Sequence, residues 1–270
     1  MAKKILFINQ EILPYVPETE LSQFGIDMPS EMLEAGYEIR TFMPKWASIN
    51  ERRGQLHEVI RLSGLNIIIN DTDHPLIIKV ASIPQKRIQV YFIDNEDYFS
   101  KKHGTLKEEL KNEYNTNGEK AIFFARGILE TVKKLRWTPD IIHCQGWISS
   151  VVPFYVRTAY CDEPQFKNTK IVTSLFKKLP SQEFGNNFKK TLKIKGVNSK
   201  SLNCYKDKFD VLELNKLAID FSDTIIKTSA NVDSELIKYA QIANKNIIDQ
   251  PVNKEDIKET YTDLYKKLIV

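Results

Sequence analysis

Short, continuous apolar runs alternate with segments of helical period along most of this 270-residue chain, and few architectures satisfy that alternation. Lys4 to Asn9 (KILFIN) reads as a strand buried on both faces. After a loop, Leu21, Phe24, Met28, Met32 and Leu33 recur at helical spacing, with Gly36 where a C-cap belongs. Pro29 is expected to kink that helix or to begin a new first turn. Tyr37 to Met43, closed by Pro44, completes a β-α-β unit of the kind that favours a parallel sheet. Further strands are expected at Leu65 to Ile69, Leu76 to Ser82, Ile88 to Ile93, Ile141 to Cys144, Lys170 to Leu175 and Thr224 to Thr228. The pair around Asn70 to Pro75 looks like a hairpin or β-arch. Helices are expected at Lys107 to Tyr114, Glu119 to Leu135, Trp147 to Tyr160, Asp210 to Ser222, from an Asn231 cap to about Ala243, and at Glu255 to Leu268. The fold class is α/β, a doubly wound, Rossmann-like, mostly parallel sheet. The reading assigns 1–250 to one domain and 251–270 to a C-terminal helical tail.

Composition narrows the function. The net charge of +4 is too small to imply nucleic acid. No apolar stretch approaches the ~20 residues that span a bilayer, and Met1 to Glu11 does not read as a secretory signal. Cys144, Cys161 and Cys204 have neither disulfide-framework nor zinc spacing, which points to the cytoplasm. The 10 glycines are so dispersed that no G-x-G-x-x-G, Walker A or G-x-S-x-G motif exists. A glycine-rich phosphate cradle is excluded, and with it most simple NAD and ATP enzymes.

Ligands of open α/β sheets lie beyond the carboxyl ends of the strands. Two segments meet that condition: the loop Gln10 to Glu20, and His143-Cys-Gln-Gly-Trp147, where a strand runs into a helix start. The competing reading is that His143 and Trp147 only pack and cap. Asp71-Thr-Asp73-His74 has the D-x-D spacing of a metal-bound sugar-nucleotide site, but two carboxylates in a turn lack the further oxygen ligands a hard cation needs, so a turn is expected. No metal or cofactor is expected. Lys177 to Lys208 is rich in lysine and irregular, and reads as a solvated loop rather than a stacking platform for nucleic acid. Cys144 reads as a small buried residue.

Ile5 to Pro44 resembles the opening of bacterial glycogen and plant starch synthases, a strand followed by S-E-x-x-P-[FY]-x-K-x-G-G-L, a helix and a strand ending in M-P. Glu11, Pro14, Tyr15, Leu21, Pro29, Gly36, Met43 and Pro44 fall in register. Asp140 to Trp147 with Val152-Pro153 is similar to the family's D-x-x-H-x-H-D-W and following V-P. Phe123 to Arg126 with Leu129-Glu130, and Leu217 to Ile237, are similar to two further family segments. The resemblance implies retaining transfer of glucose from ADP-glucose to the 4-hydroxyl of an α-1,4-glucan, hence a hexosyltransferase if active. It places Glu11, Tyr15, Pro17, His143, Gln145 and Trp147 around the substrate, with His143 and Gln145 as the catalytic candidates.

The departures are specific. Pro17 stands at the family's lysine, and Thr19 and Glu20 at its two glycines. Gln145 replaces the second histidine of H-x-H-D-W, and Gly146 the aspartate. Proline removes an N–H and the cation, and Glu18 and Glu20 add negative charge where a diphosphate would lie. The family's second domain is expected to be absent. The resemblance therefore implies an α-glucan ligand, a poor site for ADP-glucose, a separate partner protein supplying the second domain, and an isolated chain that is inactive or incomplete. The alternative is a non-catalytic glucan-binding or regulatory subunit that docks another protein.

Overall fold

A computed structural model describes residues 2–100, 114–177, 183–185 and 187–269. The elements are β1 (Lys4–Asn9), α1 (Glu20–Glu34), β2 (Glu38–Pro44), β3 (His57–Glu58), β4 (Leu65–Ile69), β5 (Thr72–Ile83), β6 (Ile88–Asp94), α2 (Glu96–Phe99) and α3 (Tyr114–Lys134). They continue with β7 (Ile141–Gln145), α4 (Val151–Arg157), β8 (Lys170–Leu175), α5 (Phe188–Thr191), α6 (Val211–Asp220), β9 (Thr224–Lys227), α7 (Ser234–Ile242), β10 (Asn246–Asp249) and α8 (Lys254–Leu268). The strands form one sheet ordered β10-β9-β8-β7-β1-β2-β6-β5-β3, with β4 paired to β5. From β10 to β6 all neighbours are parallel. The additions beyond β6 are antiparallel.

Alternate residues of the central strands feed two cores, which is why the runs are apolar throughout. Ile5, Phe7 and Ile141 pack with Phe24, Met28 and Met32 of α1 and with Tyr261, Leu264 and Tyr265 of α8. Leu6, Ile8, Ile142 and Cys144 face α3, α4 and α6 on the other side. The chain moves from β1 outward through β2, then returns to place β7 on the other flank of β1. The topological switch point thus lies between β1 and β7, and its carboxyl end is the expected ligand crevice.

Local chemistry explains the boundaries. Thr19 and Ser22 form a reciprocal capping box at the start of α1. At its end the Gly36 N–H donates to Leu33 and the Tyr37 N–H to Met32, with Gly36 at φ +90°, a Schellman stop. Pro29 is accommodated within α1, which runs unbroken from Glu20 to Glu34. Asn70 and Asp71, at φ +49° and +61°, make the two-residue turn of the β4–β5 hairpin. The Asp71 to Asp73 segment is therefore turn and strand. The expected Trp147 to Tyr160 helix is instead a 3₁₀ turn, Trp147–Ser149, followed by α4. Pro153 lacks an N–H and is best tolerated in a first helical turn, where α4, beginning two residues before it, places it. Asp233, not Asn231, caps α7 by accepting from the Glu235 N–H.

Strand β10 escapes the sequence pattern because only Ile247 and Ile248 are apolar in it. The helix expected at Lys107 to Tyr114 lies outside the described residues except for Tyr114, where α3 starts. The described part of Lys177 to Lys208 is no solvated loop. Phe184, Phe188, Leu192 and Leu202 are buried in the main core.

Candidate active site

The carboxyl ends of β1 and β7 carry an unusual set of side chains. Asn9 and Gln145 are direct register partners on the two strands. Both are fully buried, and neither amide has a hydrogen-bond partner at its oxygen or its nitrogen. Gln10 follows Asn9. Its backbone N–H donates to the Gln145 carbonyl (3.1 Å), its carbonyl accepts from the Trp46 indole N–H (2.8 Å), and its side-chain Oε1 is buried without a partner. An orphaned buried amide costs roughly 1–3 kcal/mol. Two such amides, Asn9 and Gln145, with the unpartnered Gln10 Oε1 beside them, mark the switch point as a place built to meet polar atoms from elsewhere.

Beside them opens a cavity of about 230 Å³ lined by Gly146, Trp147, Ser174, Lys177, Asp210 and Asn215, with Asp233 and Glu235 across from them. The size falls below the roughly 300–1,000 Å³ of pockets for drug-sized ligands, so it suits a sugar unit rather than a whole nucleotide sugar. Carboxylates outnumber the single lysine. Asp210 and Asp233 already accept from the first N–H groups of α6 and α7, so those helix starts are not open to a phosphate. Trp147 stacks on Phe184 with ring centroids 5.4 Å apart.

His143 lies behind this cavity. It occupies the middle of β7 and is fully buried. Nδ1 is 2.6 Å from the Tyr265 hydroxyl, Nε2 is 2.7 Å from Ser174 Oγ, and the Tyr261 ring stacks over the imidazole. Burial pushes its pKa down to about 3, so the ring is neutral and reaches the cavity only through Ser174. Glu11 is also buried; it accepts from Thr19 Oγ1 (2.5 Å) and from the Gln10 amide (3.2 Å). Tyr15 packs edge-on against Phe92, and burial raises its pKa to about 12. Pro17 is exposed in the loop.

Of the residues singled out in the sequence, the structure thus brings Trp147 to the cavity and His143 to its rear wall, while Gln145 is fully buried one residue before the lining residue Gly146. Glu11 braces the α1 entry, and Tyr15 and Pro17 lie outside the lining. Sequence reasoning placed Gln10 in a candidate loop without giving it a role, and missed Asn9 and Ser174. The available signal was a polar residue at the carboxyl end of an otherwise apolar strand, as in KILFIN and KIVTSL. Among the described residues no group of three or more His, Cys, Asp or Glu could hold a metal ion.

Residues 4–246 match the family model described as the starch synthase catalytic domain. The chain belongs to that family. Glycogen synthases from Chlorobium luteolum and Chlorobaculum parvum are 39% and 38% identical to it over 173 residues, 64% of this chain and 35% of each relative. The chain spans about a third of the length of these curated relatives. The catalytic domain of starch synthase IV from Arabidopsis thaliana, solved with ADP and acarbose bound, shares its fold with a TM-score of 0.71. That likeness covers 92% of this chain and 51% of the plant domain at 16% identity.

Within the starch synthase family motif, Gly146 now has a geometric reason. It sits at φ +81°, ψ 159°, and a Cβ placed there would lie 2.6 Å from Gln10 Cβ and Oε1. The aspartate that the motif carries at this place does not fit beside Gln10.

Proposed function

We propose that this chain forms the acceptor-side wall of a glycogen/starch-synthase-type site and binds α-1,4-glucan beside the β1–β7 crevice, with ADP-glucose bound weakly or not at all. The observation that carries the reading is the buried, unpartnered amide pair of Asn9 and Gln145, with the unpartnered Gln10 Oε1 beside it, at the switch point of a starch synthase fold. Amides offer both donors and acceptors, which is what sugar hydroxyls require, and Trp147 adds apolar surface at the cavity. Glu18 and Glu20 at the α1 entry, together with Asp210, Asp233 and Glu235 in the cavity, oppose a diphosphate. The α1 entry is closed by its own capping box. The three cysteines are free, which fits the cytoplasm.

Titration with maltoheptaose, followed by calorimetry, tests it. Gln145→Leu is the informative variant, because it removes an unpartnered buried amide. We expect stability equal to or above that of the parent together with a loss of glucan affinity of about fivefold or more, one hydrogen bond's worth. Unchanged glucan affinity in Gln145→Leu would remove the amide cluster from the site. ADP-glucose should give little thermal shift under conditions where maltoheptaose stabilises.

A further inference from the structure

A second cavity, of about 580 Å³, lies away from the β1–β7 crevice and shares no lining residue with it. Its walls are the tip of the β4–β5 hairpin, one face of α3, and α5 with the loop that follows. The walls are tied together. The Thr191 hydroxyl donates to Asn70 Oδ1 (2.8 Å), the Asn70 amide donates to Glu119 (2.7 Å), and Arg126 Nη1 donates to the Ile68 carbonyl.

The groove gathers positive charge. Several lysines elsewhere are clamped between two carboxylates, as Lys79 is by Glu51 and Asp94, Lys133 by Glu130 and Glu163, and Lys216 by Glu213 and Glu235. Lys190, Lys193 and Lys195 line the groove with Arg126 and have no carboxylate partner among the described residues. Arg126 Nε is buried and unpartnered. Asp71 is the one acid in the lining. Between the cations stand Asn187 and Thr191, neutral groups able to bond to hydroxyls, over a floor of isoleucines. Among the described residues no aromatic side chain lines the groove, so they offer no stacking surface of the kind single-stranded nucleic acid uses.

We propose that this groove is a binding site for a phosphate monoester on a small hydroxylated body, such as a sugar phosphate, separate from the glucan site. Arg126 and the three lysines would hold the doubly charged phosphate by charge-assisted hydrogen bonds, and Asn187 and Thr191 would meet hydroxyls. The source of the phosphate, a free sugar phosphate or inorganic phosphate, is read by comparing the two.

Calorimetric titration of the full chain with glucose 6-phosphate, inorganic phosphate and glucose tests the proposal. Glucose 6-phosphate should bind, glucose should not. Inorganic phosphate should bind more weakly if hydroxyl contacts contribute and equally if only the phosphate is read; either result supports a phosphate site. The exposed double variant K190Q/K193Q should weaken binding by roughly fivefold or more, and K238Q on α7 should not. As a measurement independent of variants, glucose 6-phosphate should protect Lys190, Lys193 and Lys195 from amine acetylation mapped by mass spectrometry. Equal binding of glucose, absence of protection at these lysines, undiminished binding by K190Q/K193Q, or binding of an oligodeoxythymidine in place of the sugar phosphate would each overturn it.

Discussion

His143 is neutral in the fold because nothing around it compensates a positive charge. Its neighbours are Phe7, Phe24 and two tyrosines, and its two nitrogens meet hydroxyls. In the unfolded chain the ring takes a proton near pH 6.5, whereas in the folded chain it does so only near 3. The unfolded state therefore binds the extra proton first as pH falls. The stability this group contributes is complete above pH 6.5 and is lost progressively down to about 3. Denaturant unfolding at pH 7 and pH 5 should show a loss of about 2 kcal/mol from this residue, absent from His143→Gln. An identical pH dependence in the two proteins would disprove the assignment. Gly146 gives the second prediction at this scale. Restoring the motif aspartate, Gly146→Asp, places a side chain in a backbone region essentially reserved for glycine and against Gln10, at a cost of about 1–3 kcal/mol. The midpoint of chemical denaturation measures it, and pairing the change with Gln10→Gly, which removes both the Cβ and the Oε1 in the way, should recover the part due to the clash. Neither effect was legible in the sequence. The letters H-C-Q-G-W mark a strand end, but which way each side chain points, and that Gln10 faces Gly146, depends on a register between two strands more than 130 residues apart.

The helices on the β1 face act as one unit. Helix α8 lies against α1, with Lys258 bridging Glu31 and Glu34, and its Tyr261 and Tyr265 are buried against the strands. The Tyr265 hydroxyl is the contact that reaches through to His143, and so by way of Ser174 to the cavity. Tyr265→Phe keeps the ring and removes the oxygen. It should cost about 1–3 kcal/mol, because Nδ1 of a fully buried histidine is left unmet. If the melting transition of Tyr265→Phe coincides with that of the parent, the hydroxyl does not anchor α8. The α8 helix was readable from Ile257, Tyr261, Leu264, Tyr265 and Leu268 in register, as were α3 and the central strands, whose apolar spacing reflects burial on known faces. What its spacing could not convey is how deeply it is set: the segment read as a tail carries two of the largest fully buried side chains. The aromatic packing from Trp147 through Phe184 and Phe188 to Phe209 was equally hidden. It runs through turns and a one-turn helix, where no period repeats long enough to be recognised.

For the molecule as a whole, the starch synthase fold and the chemistry of its cleft point in different directions. Glucosyl transfer, the reaction that the family resemblance implies, needs the leaving diphosphate to be stabilised as charge develops on it. In the described cleft that task would fall to Lys177 against Asp210, Asp233 and Glu235. The loop before α1 offers Pro17, Glu18 and Glu20, and spends its helix-start donor on Thr19. At an effective dielectric of about 20, unlike charges a few ångströms apart are worth roughly 4 kcal/mol and like charges cost as much, so exchanging a cation for carboxylates removes much of the rate. We therefore expect the purified 270-residue chain to incorporate no labelled glucose from ADP-glucose into glycogen, while retaining the glycogen binding proposed above. The triple change Pro17→Lys, Thr19→Gly and Glu20→Gly should raise ADP-glucose affinity, because it returns a cation and frees backbone N–H groups. It should not by itself produce turnover, since the cavity carboxylates are untouched. Incorporation by the unaltered chain, abolished in Gln145→Leu, would mean that this cleft supports the developing charge without a lysine in the α1 loop, and the donor-side argument would fail.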